Sequence, residues 1–145
     1  MNGKVLAVCL SKEKGTTKKQ IKSGTFLEEY GLQGDAHSGN WHRQVSLLGI
    51  ESINKIKAKG FNIKFGDFAE NITTEGIDLP KLPIGTKLRI GENALLEITQ
   101  IGKSCHNACE IKKKVGDCVM PREGVFARVL NGGSIQAGDS ITITK

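Results

Sequence analysis

Three stretches of this chain alternate apolar and polar side chains residue by residue: TKLRIG at 86–91, ALLEITQI at 94–101 and DSITITK at 139–145. Successive side chains of an extended chain point to opposite faces, so each stretch has one face for a core and one for solvent. KVLAVCL at 4–10 reads as a buried opening strand, with QVSLL at 44–48 and NITTEGI at 71–77 as further strands. Strands this short, separated by turn residues, predict a mainly β fold: a closed or nearly closed β-barrel with a few short helices. GENA at 91–94 supplies a turn between two of them. LPKLPIG at 79–85 cannot lie inside a sheet, because both prolines lack the backbone donor that a ladder requires.

One segment carries the helical period instead. GIESINKIKAKG at 49–60 places Ile50, Ile53 and Ile56 three apart between glycines, which predicts a short amphipathic helix closed by Gly60. The lysine-rich KEKGTTKKQIK at 12–22 is expected to be a loop, and GLQGDAHSGNWHRQ at 31–44 holds too many breakers for a helix.

With 145 residues, 38% of them hydrophobic, the chain is expected to form a single domain, 1–145, around one core. No run approaches the ~18 apolar residues that a membrane span needs, and the opening is too short for a signal peptide, so a cytoplasmic protein without a membrane partner is expected. Four cysteines in such a chain are read as free thiols. A formal charge of +6 favours an anionic partner. Nucleic acid is not expected, since one Trp, one Tyr and five Phe are not interleaved with basic residues as stacking platforms.

The densest chemistry lies in KSCHNACEIKKKVGDC, where Cys105, His106, Cys109 and Cys118 bring thiols and an imidazole together. These are ligands for soft or borderline metals. A structural zinc site would repeat paired ligands about a dozen residues on, and the second pair is missing. The alternative for a cysteine is burial as a packing residue, which is the reading for Cys9 in its apolar strand. Cys105 and Cys109 have polar neighbours, with Lys103 and Lys112–Lys114 nearby, and positive charge favours the reactive thiolate. If the segment is helical, residues four apart share a face. A second cluster, GDAHSGNWHRQ, carries Asp35, His37, His42 and Arg43 on a glycine-rich connection. It is either a turn braced by Asp35 or a site in which Arg43 clamps a phosphate. In GDFAENIT at 66–73, Glu70 and Asn71 either brace the fold or contact a ligand.

Taken in order, GLQGDAHSGNWHRQVSLLGIE, GDFAENITTEGIDLPKLPIGTKLRIG, LEITQIGKSCHNACEI and GDCVMPREGVFARVLNGGSIQAGDSI resemble the MOSC family, named for the C-terminal domain of molybdenum cofactor sulfurase. The resemblance runs from about residue 4 to the end. It implies a MOSC-like β-barrel, a pocket for a molybdenum cofactor of the molybdopterin type, and a cysteine that ligates molybdenum or carries a persulfide sulfur. That cysteine maps to Cys109 or Cys105. Cys109 is favoured as the later of the two, with Ile111 close behind it, and Cys105 becomes its neighbour or resolving thiol. Three residues separate the pair here, where related reductases such as the mitochondrial amidoxime reducing component have two.

The implied function is cofactor binding or sulfur carriage, with sulfur donor and acceptor proteins as partners and Cys109 as the thiolate that meets the metal. Asp35, His37, Arg43, Glu70, Asn71, Lys103 and His106 would contact the cofactor. No pyridoxal phosphate is expected, since the chain has no counterpart of the larger sulfurases' domain for it. One alternative is a molybdenum-dependent reductase of N-hydroxylated compounds served by a separate electron donor. Another is a zinc-stabilised binding module without catalysis.

Overall fold

The structure is a computed structural model that describes residues 2–102 and 120–144. Eleven strands are present among the described residues: β1 (Asn2–Leu10), β2 (Lys19–Ile21), β3 (Ser23–Leu27), β4 (Gly31–Leu32), β5 (Val45–Gly49), β6 (Ile72–Glu75), β7 (Lys87–Ile90), β8 (Ala94–Ile101), β9 (Val125–Asn131), β10 (Gly133–Gln136) and β11 (Ser140–Thr144). Helix α1 (Ile50–Lys57) follows β5, a single 3-10 turn spans Leu79–Lys81, and a four-residue helix α2 (Met120–Glu123) precedes β9. No helix among the described residues is long and apolar enough to cross a membrane.

Seven strands close a barrel in the order β1-β11-β7-β8-β9-β5-β6 and back to β1. Closure is the work of β1, whose first residues pair with β11 (Asn2 opposite Thr142) while its middle pairs with β6 (Val5 opposite Thr74). Closing the sheet removes its free edges. Every pairing in the ring is antiparallel except β5 with β6. A parallel pair needs a crossover, and α1 lies in that connection. A small sheet, β10-β3-β4, covers one side.

The alternation read from the sequence is the alternation of the wall. Ala94, Leu96 and Ile98 of β8, Leu88 and Ile90 of β7, and Ile141 of β11 are all buried in the barrel core with Val5, Val8, Leu47, Ile72 and Val129. A second apolar cluster lies outside the wall, where Ile53 and Ile56 of α1 pack with Leu48, Ile63, Phe68 and Phe126. The helix sits where the isoleucine spacing predicts, and Gly60 beyond it takes φ +99° and donates to Lys57 O at 2.9 Å. Leu79–Lys81 is helical and Leu82–Thr86 lies between it and β7, so neither proline enters a strand.

The tract at 12–22 departs from its expectation. It is not all loop, because Lys19–Ile21 forms β2 by pairing Val8 with Ile21, Cys9 with Gln20 and Leu10 with Lys19. Its lysine and glutamine side chains face solvent on an edge, which hides the strand from a reading based on apolar residues. Gly66 makes that approach feasible. It has φ +88°, and a Cβ there would stand 2.1 Å from Lys18 O and 3.2 Å from Cys9 Sγ. The close approach is sealed by Lys18 N donating to Gly66 O at 2.8 Å.

Candidate functional site

The connection from β4 to β5 is built around Asp35. Its amide donates to Leu32 O at 3.1 Å, its carbonyl accepts from Ser38 Oγ at 2.6 Å, and its carboxylate takes three donors from elsewhere in the chain. Oδ1 accepts from Ser11 N at 3.1 Å and Lys18 Nζ at 2.8 Å, while Oδ2 accepts from His37 N at 3.1 Å. Asp35 and Lys18 side chains are both 0% exposed. An ion pair taken wholly out of water is tolerable only when hydrogen bonds satisfy what remains of each partner, as they do here. Lys18 Nζ also reaches His37 Nδ1 at 3.1 Å and Ser11 Oγ at 3.4 Å.

Downstream of His37 the loop turns through Gly39, whose amide donates to Tyr30 O at 2.7 Å. Trp41 Nε1 then donates to His37 O at 2.7 Å, which fixes the indole against the loop. Arg43 places its guanidinium 4.7 Å from the Trp41 ring centre and 5.6 Å from that of Phe126, and Lys14 Nζ lies 5.6 Å from the Trp41 ring. Cations over aromatic faces are drawn by the ring quadrupole. The Arg43 Nε is buried without a hydrogen-bond partner among the described residues. His42 Nε2 meets Gln100 Oε1 at 2.8 Å, and Thr99 Oγ1 donates to His42 O, so the loop is tied to the end of β8. Gln100 Nε2 in turn donates to Gly102 O at 2.8 Å, the last described residue before the cysteine region.

Glu70 and Asn71 are bonded into the fold itself. Both are 0% exposed. Glu70 accepts from Gly66 N at 3.1 Å, Phe68 N at 3.2 Å and Thr73 Oγ1 at 2.9 Å, bracing a turn in which Ala69 takes φ +63°. Burial outweighs those donors and pushes the Glu70 carboxyl above its ordinary value. Asn71 stitches three strands, accepting from Ser46 N at 2.9 Å and donating to Cys9 O at 3.1 Å. Cys9 is fully buried, and burial first, then the Glu70 carboxylate, pushes its thiol up to about 12. That thiol packs and does not react.

Asp35, His37 and Arg43 are therefore brought together through Lys18 and Trp41. Lys103, Cys105, His106, Cys109 and Cys118 lie outside the described residues, as does the helical reading of their segment. No group of three or more His, Cys, Asp or Glu that could hold a metal occurs among the described residues. Lys18, Ser11 and Trp41 were not singled out from the sequence. Trp41 carried a signal, being the one Trp and lying between His37 and Arg43, whereas nothing distinguished Lys18 from its neighbours in a lysine tract. A cavity of about 760 Å³ lies elsewhere, between β2, α1 and residues 62–67, and shares only Lys18 with this cluster. The cluster, with its buried ion pair and an Nε that has no partner among the described residues, is the better candidate on chemical grounds.

The chain is similar in fold to the YuaD protein from Bacillus subtilis, with a TM-score of 0.82 and 22% identity over 97% of this chain and 94% of that one. It is similar to YiiM from Geobacillus stearothermophilus at a TM-score of 0.75 and 18% identity, covering 99% of this chain and 75% of that one. YiiM from Escherichia coli gives a TM-score of 0.67 and 19% identity, covering 100% and 70%. A comparison with curated protein sequences finds no significant match. The profile of the MOSC domain family matches residues 34–142, a span that opens one residue before Asp35 and ends within β11. The chain belongs to the MOSC domain family and is, at the level of that family, a molybdenum-cofactor-related domain.

Proposed function

We propose that this domain holds a molybdenum cofactor of the molybdopterin type and carries sulfur for it on Cys109. The observation that carries the reading is Arg43, a cation in contact with two aromatic rings whose buried Nε has no hydrogen-bond partner among the described residues. A buried donor without an acceptor is costly, and a phosphate oxygen is the acceptor that guanidinium geometry fits best. The loop of Asp35, His37 and Arg43 reaches the end of β8, from which the chain enters the segment of Lys103, Cys105, His106 and Cys109. Thiols are the donors that suit a soft metal, so the residue types fit the group. Arg43 and Lys103 would hold its phosphate, His37 and His106 would contact it, and Cys109 would supply the thiolate. Bound, the group supplies a molybdenum centre able to accept a thiolate or a sulfur atom.

Sulfur reaches Cys109 from a persulfide donor protein. The Cys109 thiolate attacks the outer sulfur of the donor's R–S–SH, forming Cys109–S–SH and releasing R–S⁻, with no net oxidation. Cys105 serves as the neighbouring or resolving thiol. Anaerobic purification from cells that make the cofactor, followed by elemental analysis and mass spectrometry of the cysteine peptides, tests this. Molybdenum, or one added sulfur on Cys109, is expected in the wild type and absent from Cys109→Ser. Loss in Cys105→Ser alone would reassign the thiol, and retention in both variants, or zinc in place of molybdenum, would overturn the reading.

A further inference from the structure

Residues opposite each other in an antiparallel pair either exchange both backbone hydrogen bonds or neither. Cys9 stands opposite Gln20, yet its amide donates to Asn71 O at 2.7 Å. Gln20 therefore exchanges nothing with Cys9, and its own N–H and C=O turn away from β1. Lys18, two residues earlier, turns the same way, and its amide finds Gly66 O at 2.8 Å. Gln20 N–H finds no acceptor among the described residues, and β2 is the last strand of its sheet. A strand edge offers such donors to whatever lies beside it.

Beside it is the cavity of about 760 Å³ between β2, α1 and residues 62–67, whose lining includes Gln20. Ligand pockets of ~300–1,000 Å³ combine an apolar lining with a few placed polar groups. Here Ile53 and Ile63 belong to the apolar cluster outside the wall, Ile50 packs against it, and the half-buried Phe65 completes the apolar part. The charged part is one-sided. Lys19, Lys57 and Lys64 are exposed and have no ion-pair partner among the described residues, whereas Lys18 is taken up by Asp35. Asp67, the one acid among the described lining residues, accepts from Lys64 N at 2.8 Å within its own turn.

We propose that this cavity binds a small organic acid, a carboxylate carried on a flat or extended apolar body, at a site separate from that of the cofactor. The body covers the isoleucines and Phe65, which removes apolar surface from water. The carboxylate accepts from Gln20 N–H and pairs with the lysines. An ionised carboxylate only accepts hydrogen bonds, which suits an edge N–H and three ammonium groups. No residue of the loop from Asp35 to Arg43 lines the cavity, so the inference stands apart from the cofactor reading.

Amide ¹H–¹⁵N spectra of the ¹⁵N-labelled full chain, titrated with 2-naphthoate, test the site. Saturable shifts are expected at Gln20, in α1 and at residues 62–67. 2-Naphthamide, the same body without the charge, should bind roughly fivefold or more weakly, the loss expected of an exposed ion pair. Lys57→Glu combined with Lys64→Glu, both at exposed positions, should weaken naphthoate by about tenfold or more and leave naphthamide within about twofold. Inorganic phosphate, which has charge without a body, should not displace naphthoate at equal concentration. Indifference to naphthoate, equal binding of acid and amide, displacement by phosphate, or shifts centred on Trp41 and Arg43 would each overturn the proposal. So would a response to a glutamate-rich peptide and not to naphthoate, which would make this face a protein dock.

Discussion

Lys18 and Asp35, 17 residues apart in the chain, meet through Nζ and Oδ1 at 2.8 Å with neither side chain reaching solvent. A buried pair contributes little net stability over an apolar replacement, but removing one partner strands the other's charge. Lys18→Met is therefore expected to cost about 3–5 kcal/mol in urea unfolding, because Asp35 keeps its backbone donors and loses its cation. Adding Asp35→Asn should recover part of the loss. A cost below ~1 kcal/mol, the range of an exposed pair, would show that water reaches the cluster.

Glu70 makes a pH-dependent prediction. Its carboxyl lies above the ordinary value of 4.5 because burial disfavours the charged form. A group whose folded pKa is raised contributes stability that is fully present below the unfolded value and is lost as pH rises through the folded one. The stability gap between wild type and Glu70→Gln, measured by denaturation across a pH series, should therefore narrow as pH climbs from 4.5. A gap that widens would mean that the donors Gly66 N, Phe68 N and Thr73 Oγ1 outweigh burial.

These two buried acids mark the limit of what the sequence discloses. Helix α1 and strands β7, β8 and β11 were legible because periodicity reports which face is covered, and Ile53, Ile56, Leu88, Leu96 and Ile141 are covered as the period requires. Strand β2 was not, since its burial pattern is set by the partner β1 and its own side chains are polar. Strands β3 and β10 carry glycines and serines and depend on each other for pairing. At the site, Asp35, His37 and Arg43 stood out as polar residues on a breaker-rich loop. Lys18 did not, because a lysine reads as solvated until the carboxylate 17 residues away is known to bury with it. Glu70 and Asn71 have the composition of ligand residues, and only the hydrogen bonds show how much of each is spent on the fold.

Cys9 separates packing from reactivity. With its thiol pushed up to about 12, it offers almost no thiolate in mildly alkaline buffer. Iodoacetamide followed by peptide mapping should leave Cys9 unmodified in the native protein and modify it in urea. Cys9→Ser is expected to cost about 1–3 kcal/mol for burying a hydroxyl, without changing molybdenum content. Native-state alkylation at the rate of a free thiol would show that the wall around Gly66 opens.

Arg43 is where charge and shape can be told apart. Arg43→Lys keeps the positive charge and discards the plane that lies over Trp41 and Phe126. An ammonium is a compact, strongly hydrated cation that meets phosphate at a point, whereas a guanidinium offers a fork and stacks. If charge alone attracts the cofactor, Lys should bind as well as Arg and Gln should not. If the stacked plane matters, Lys should fall with Gln, and the loss of cation–π contact, roughly 0.5–2 kcal/mol, sets the expected weakening at about tenfold for a mid-range value. Among the described residues the buried Nε has no partner to lose, so any loss of stability should stay within the roughly 0.5–2 kcal/mol of the two ring contacts. Inorganic phosphate binding, measured by calorimetry on wild type, Arg43→Lys and Arg43→Gln, should rank the wild type first with both variants well below it. Equal binding in all three would place the anion away from this loop, and the reading of Arg43 as a phosphate clamp would fall with it.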